Sequence, residues 1–304
     1  MDDELAFTAA EETGELLDAE FIRRLGGLDL ISRKILQGKI KGERRSKRRG
    51  QSVEFADYRP YSAGDDLRFL DWNIYGRLDR LFIKLFLEDE DLHVYILVDA
   101  SSSMDYGRPN KFRYAQKVAA ALGYIALNNH SRVAVGAFNS ELSASLPGMR
   151  GRRSAHKLVR FLSELEPSGE TDLNRAVKLF AMRNKAKGIV ILISDFLDRG
   201  GYDKAIASLT ARKNDVFCLH LLADQELEPP LSGDLRLTDI EAGDETDITV
   251  SGPLLAAYHR TLQSFLGKLR DHCVKRGVSY LSTSTSLPFE NLVLGYLRER
   301  GLVR

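Results

Sequence analysis

A mostly parallel α/β sheet of Rossmann-like type, with helices on both faces, is the architecture to expect of this chain, and three features carry that expectation. Short continuous apolar runs, the pattern of strands buried on both faces, recur at 92–98, 132–138, 188–194 and 214–222. Stretches of helical periodicity stand between them, which is the alternation of a sheet wound with helices on either side. The first run, Val94-Tyr95-Ile96-Leu97-Val98, stops abruptly in Asp99-Ala100-Ser101-Ser102-Ser103. Ligands of open α/β sheets sit beyond the carboxyl ends of such strands, so these residues stand where a site belongs.

The front of the chain is a charge dipole. Residues 1–20 carry eight acidic and no basic side chains, whereas 21–52 carry eleven basic ones against Asp29 and Glu43. Residues 1–18 therefore read as an acidic disordered tail. From 19 to 37, Phe21, Ile22, Leu25, Leu28, Leu30, Ile31 and Ile35 recur at near-helical spacing and predict one amphipathic helix. The densest basic run follows at 41–50. It is either a solvated loop or a surface for an acidic partner, with Arg44, Arg45, Lys47, Arg48 and Arg49 as the candidate partner-binding residues. Nucleic acid is disfavoured, because no aromatics are interleaved and no nucleic-acid fold is legible. Strand-like segments at 52–58 and 80–87 flank a block from Arg59 to Trp72. Residues 19–90 are thus expected to form a smaller N-terminal α/β element of helix, basic loop and strand pair.

The main domain is expected over 91–304. A helix at 111–128 sets Phe112, Ala115, Val118, Ala119, Leu122 and Ile125 on one face, and the strand 132–138 comes directly after Ser131. Asn139-Ser140 separates that strand from a run at 141–146 closely enough for a tight hairpin, so the second run should be an antiparallel edge strand. Helices at 153–165 and 172–184 precede the strand 188–194, then a helix at 202–212 and the strand 214–222. Residues 225–252 break the rhythm: rich in Pro, Gly and Asp, with alternating runs at 235–240 and 247–250, they predict an inserted β-hairpin. A helix at 253–276, a strand at 278–283 and a helix at 288–300 close the domain.

With 304 residues, 43% of them hydrophobic, the chain can bury a sizeable core. Its two cysteines, Cys218 and Cys273, form no ligand-like spacing and no disulfide framework. No stretch reaches the roughly 18 apolar residues of a membrane span, and the acidic start lacks a signal peptide's basic head. A cytoplasmic location without a membrane span is the expectation.

Three segments end at one edge of the expected sheet: Asp99-x-Ser101-x-Ser103, Ser168-Gly169-Glu170-Thr171-Asp172, and Ile193-Ser194-Asp195-Phe196. Each has a plainer role available. Ser101 and Ser103 could cap the next helix, Thr171 could be an N-cap, and Asp195 could begin a turn. Together, Asp99, Ser101, Ser103, Thr171 and Asp195 make an oxygen-only set suited to Mg²⁺ or Mn²⁺. Having few direct charges, such an ion stays electron-poor and can accept a carboxylate from another molecule.

This set resembles the metal-ion-dependent adhesion site of von Willebrand factor A-type domains, across about 91–304. The Gly-Gly-Thr-Asp common around the Thr is here Gly169-Glu170-Thr171-Asp172. Upstream, Arg49-Gly50-Gln51-Ser52-Val53-Glu54-Phe55, Arg59-Pro60-Tyr61, Gly64-Asp65-Asp66, Arg68 and Leu70-Asp71-Trp72 resemble a bacterial family of unknown function that places an A-type domain after this element. The resemblance implies a non-enzymatic, Mg²⁺-dependent protein interaction module. Its expected partners are a MoxR-type AAA+ ATPase and a client protein presenting an acidic side chain, with no small-molecule substrate. Within the upstream block, Phe69 and Trp72 are expected to pack on the sheet, Gly64-Asp65 to turn, and Arg68 to pair with Asp66 or Asp71.

The rival reading is phosphotransfer through Asp99 as nucleophile. Haloacid-dehalogenase-type phosphatases need a second Asp where this chain has Ser101. Phosphate-loop, nucleophile-elbow and His-Glu-x-x-His motifs are missing from the sequence. His93, His156 and His220 read as structural. A nucleic-acid function would rest on 41–49 alone.

Overall fold

The apolar runs pair as buried strands, as their composition demands. The structure is a computed structural model, and it describes residues 16–30, 54–87, 92–241, 243, 245–299 and 302–303. The described residues fall into two units, one within 40–91 and the other within 1–39 and 92–304.

In the larger unit the strands of the sheet are β3 (His93–Asp99), β4 (Arg132–Phe138), β5 (Ala144–Met149), β6 (Gly188–Ser194), β7 (Asp215–Leu222) and β10 (Ser279–Ser284), whereas β1 (Glu54–Pro60), β2 (Phe82–Leu87), β8 (Gly233–Thr238) and β9 (Glu245–Val250) lie outside it. Among the described residues the sheet runs β10-β7-β6-β3-β4-β5, parallel throughout except for the antiparallel edge strand β5. Alternation along β3 divides the core. Val94, Ile96 and Val98 face the helices Lys111–Asn128 and Ala155–Ser163, whereas Tyr95 and Leu97 face Leu173–Arg183, Asp203–Ala211 and Gly252–Lys275. This is the mostly parallel, two-sided α/β fold expected. From β3 the chain moves to β4 on one side and later returns to β6 on the other, so the order reverses at β3. The carboxyl ends of β3 and β6 flank that switch point. The inserted hairpin is present as β8 (Gly233–Thr238) and β9 (Glu245–Val250), with mostly exposed residues.

Several expectations need correction. The helix expected over 19–37 stops at Leu25, where Gly26-Gly27 follow, and Leu30 forms a β-bridge with Val303; residues 31–37 lie outside the described residues. This helix belongs with the large sheet rather than with the strand pair. Phe21 and Leu25 are buried in the sheet's core, and the Phe21 ring meets Phe289 edge-on at 4.9 Å. The last residues of the expected acidic tail are structural, Leu16 and Leu17 being buried and Asp18 capping the helix; 1–15 lie outside the described residues. The edge strand begins at Ala144 instead of 141, because Asn139 is committed to the neighbouring loop, donating from its side chain to the Ser168 carbonyl. The closing helix is irregular, with a π-helical Leu292–Tyr296 between two short α-turns.

The smaller unit pairs β1 (Glu54–Pro60) with β2 (Phe82–Leu87) antiparallel. Between them, Ser62–Asp65 closes a turn and a short helix, Trp72–Leu78, is capped by Asp71. The Asp71 carboxylate accepts from the Asn73 and Ile74 amides and the Tyr58 hydroxyl, and pairs with Lys84 at 3.1 Å. Arg68 pairs with Asp66, one of the two expected partners. The aromatic expectation fails: Trp72 is 65% exposed and Phe69 is exposed as well. The block is fastened to the strands through polar Asp71 and the buried Leu70, which bridges to Ile83, and this leaves the rings outward. Among the described residues no helix is long and apolar enough to cross a membrane.

Candidate functional site

Asp99 is the last residue of β3 and is fully buried, as is Asp195 directly after β6. Both positions follow from the apolar strands that deliver them. One Asp99 carboxylate oxygen accepts from the Ser101 amide at 3.0 Å, and the other from the Ser194 hydroxyl at 2.6 Å. The Ser194 oxygen in turn accepts from the Phe196 amide at 2.8 Å, which ties the ends of β3 and β6 together. The Ser101 and Ser103 hydroxyl oxygens lie 3.0 Å apart.

Two backbone bonds dock the Thr171 loop on the Asp99 loop: Ser102 N–H to the Gly169 carbonyl at 2.9 Å, and Ser168 N–H to the Ala100 carbonyl at 2.8 Å. Gly169 sits at φ +74°, a conformation that glycine tolerates where other residues are strained, so Gly169 is the glycine this loop needs. Asp172 caps the helix Leu173–Arg183 by accepting from the Arg175 amide. Thr171 is held differently from its neighbours. Its amide and hydroxyl donate to the Glu241 carboxylate at 3.3 and 3.2 Å.

The charge balance is unexpected. Lys111, first residue of the helix Lys111–Asn128, has a side chain 0% exposed; its ammonium reaches Asp195 at 2.7 Å and Glu226 at 2.6 Å. Burial works to lower the Lys111 pKa, but the Asp195 and Glu226 carboxylates outweigh it and hold the ammonium charged. Asp99 is bonded by neutral donors, the Ser101 amide and the Ser194 hydroxyl. Burial first, and the Asp195 charge second, push its carboxyl up to about 7. A buried carboxyl raised this way is one that a nearby cation would return to the ionised form. The Ser101 and Ser103 hydroxyls beside it are hard oxygen donors, so the set fits Mg²⁺ or Mn²⁺. Among the described residues no three His, Cys, Asp or Glu side chains cluster to hold a metal. Any ion here depends on hydroxyl ligands.

Asp99, Ser101 and Ser103 are therefore brought together, the Thr171 loop is docked beside them, and Asp195 is adjacent but already paired. Arg44, Arg45, Lys47, Arg48 and Arg49 lie outside the described residues. Sequence reasoning missed Lys111, Ser194, Glu226 and Glu241. For Lys111 a signal existed: it stands four residues before Ala115 on the apolar stripe, and a charge on a buried face needs a partner. Glu241 carried no local signal, because its contact is made 70 residues away.

Comparison with known proteins adds the following. The family described as "Protein of unknown function DUF58" matches residues 57–264. Uncharacterized proteins of Mycobacterium tuberculosis and Mycobacterium bovis are each 27% identical over 258 residues, covering 81% of this chain and 81% of the relative. Among solved structures, the conserved hypothetical protein BatB from Bacteroides thetaiotaomicron is similar with a TM-score of 0.43 and 14% identity, over 69% of this chain and 98% of that one. An aerotolerance-related membrane protein from Bacteroides fragilis gives 0.44 and 15%, over 68% and 99%. The manganese-loaded Plasmodium vivax TRAP protein gives 0.33 and 20%, over 44% and 58%.

Proposed function

The chain belongs to the DUF58 family, and on that footing we propose that it is a non-enzymatic protein interaction module whose A-type domain binds Mg²⁺ or Mn²⁺ at Asp99, Ser101, Ser103, Thr171 and Asp195. The observation that carries the reading is Asp99. It is a buried carboxylate at the switch point of the sheet, bonded by neutral donors and facing a hydroxyl pair. Asp99 and Asp195 supply the charge, the three hydroxyls orient the ion, and a partner's carboxylate completes its shell. Within a cytoplasmic setting the module acts as an adaptor or co-chaperone between a MoxR-type AAA+ ATPase and a client that offers an acidic side chain. The basic run 41–49 steers that acidic surface.

Phosphotransfer through Asp99 is disfavoured by the sequence, which has Ser101 where haloacid-dehalogenase-type phosphatases need a second Asp. Affinity purification of the wild-type chain and of Asp99→Ala, side by side, tests the proposal. An AAA+ ATPase recovered with wild type and lost with Asp99→Ala is the expected result. Equal recovery, or recovery indifferent to chelator, would overturn it.

A further inference from the structure

Among the described residues, the inserted hairpin meets the sheet unit through polar contacts at its tip. The residues of β8 and β9 are mostly exposed, and Leu237 and Ile240 stand in solvent. At the tip, by contrast, polar contacts converge on the site. Asp239 pairs with Arg199, in the loop that follows Asp195, at 2.8 Å. The Asp239 side chain also accepts from the Glu241 amide at 2.9 Å, which shapes the turn. Glu241 then places its carboxylate on the Thr171 amide and hydroxyl.

Thus one carboxylate of this chain, carried on an insertion, rests on the hydroxyl of a residue assigned above to the metal. We infer that Glu241 is a built-in ligand of this site: with the ion bound, the hairpin supplies the carboxylate that completes the coordination shell, and a partner's acidic side chain must displace it. The inference rests on the metal-binding reading proposed above. The attachment suits displacement. The Arg199–Asp239 pair is exposed on both sides, and exposed pairs hold weakly; the two Thr171 bonds lie at the long end of hydrogen-bond range. A strong competitor can therefore lift the tip without unfolding the sheet, because the hairpin strands are mostly exposed.

The test uses the full chain with Mn²⁺ as the probe. Glu241→Gln keeps the size of the side chain but removes its charge and one of its two acceptor oxygens. Arg199→Ala loosens the tip while leaving the carboxylate intact. Three quantities are read: the Mn²⁺ Kd, the water-proton relaxivity of bound Mn²⁺, and hydrogen exchange of amides 233–250 with and without the ion. In wild type, Mn²⁺ should slow exchange across the hairpin. Glu241→Gln should abolish that slowing, raise the Kd by about tenfold, and raise relaxivity by the contribution of one further bound water. Arg199→Ala should speed hairpin exchange before the ion is added, yet retain the Mn²⁺-dependent slowing.

The two ways to fail are distinguishable. If wild type binds Mn²⁺ through Asp99 but Glu241→Gln changes neither Kd nor relaxivity, the built-in ligand is wrong and the metal site stands. If wild type binds Mn²⁺ no better than Asp99→Ala, the metal reading falls and this inference falls with it.

Discussion

Replacing Lys111 by Met removes one buried charge and leaves its two partners in place, which makes it the sharpest test of how this site is balanced. The Lys111 ammonium touches Asp195, 1% exposed, and Glu226, 17% exposed. Glu226 can recover some hydration and keeps its bond from the Ala223 amide, so its share of the cost is the smaller. Asp195 keeps a bond from the Leu197 amide but is too buried to recover hydration, and the buried Asp99 stands beside it. Breaking a buried pair by removing one partner costs about 3–5 kcal/mol. The loss is best measured by urea unfolding followed with far-UV circular dichroism, because Trp72, the one tryptophan, reports on the smaller unit. Lys111→Met should lower the stability of the sheet unit by about 4 kcal/mol, and Lys111→Met with Asp195→Asn should restore at least half of it. A loss below about 1 kcal/mol, or no recovery in the double variant, would refute the reasoning.

Other consequences are open to direct measurement. His220 is fully buried, and burial lowers its pKa to about 4 from an ordinary 6.5. The unfolded chain therefore takes up a proton between those values that the folded chain refuses. Stability is fully present above pH 6.5 and falls by about 3 kcal/mol by pH 4. Urea midpoints of His220→Gln should depend less on pH across that window, and an unchanged dependence would remove this account. Ser101→Ala and Ser103→Ala should each raise the Mn²⁺ Kd by roughly tenfold, about 1.4 kcal/mol, in calorimetry; an unaltered Kd would exclude that hydroxyl as a ligand. In the smaller unit, Asp71→Ala removes the cap of Trp72–Leu78 together with the Tyr58 and Lys84 contacts, so the Trp72 fluorescence transition should move to lower urea. Gly188→Ala places a Cβ 2.2 Å from the His93 carbonyl oxygen, which must push β3 and β6 apart and should cost more than the roughly 3 kcal/mol of ordinary core overpacking.

The sheet was legible because its strands are buried on both faces, and burial leaves a continuous apolar signature that no neighbour needs to supply. Strands 93–99, 188–194 and 215–222 could be read almost to the residue for this reason. Elements fixed by polar contacts over long sequence distances could not. The apolar spacing from Leu28 to Ile35 looked helical, yet Gly26-Gly27 end the helix and Leu30 pairs with Val303, at the far end of the chain. Trp72 looked like core because tryptophan usually is. Here Asp71 takes the inward position, binding two helix amides, a tyrosine and a lysine, and the ring is left in solvent.

At the candidate site, the placing of Asp99, Ser101 and Ser103 beside Asp195 was legible because two neighbouring strand ends fix where the next few residues go. Their electrostatics were not, since the decisive groups arrive from Lys111, Glu226 and Glu241 on separate elements. Counting only the motif, Asp99 and Asp195 would neutralise a divalent ion and leave little attraction for a partner's carboxylate. Lys111 changes that count. It holds Asp195 in a pair, partly spends that carboxylate's charge, and leaves Asp99 as the nearest uncompensated acid. An ion bound there in the proposed manner keeps a net positive field toward solvent, and a low-dielectric wall strengthens such a field. Glu241 is the carboxylate that field would draw first, since it is tethered to the same chain and already lies on Thr171. A partner must then offer either a higher local concentration of acid or a second contact elsewhere, and the basic run at 41–49 is the segment of this chain with the charge to provide that second contact.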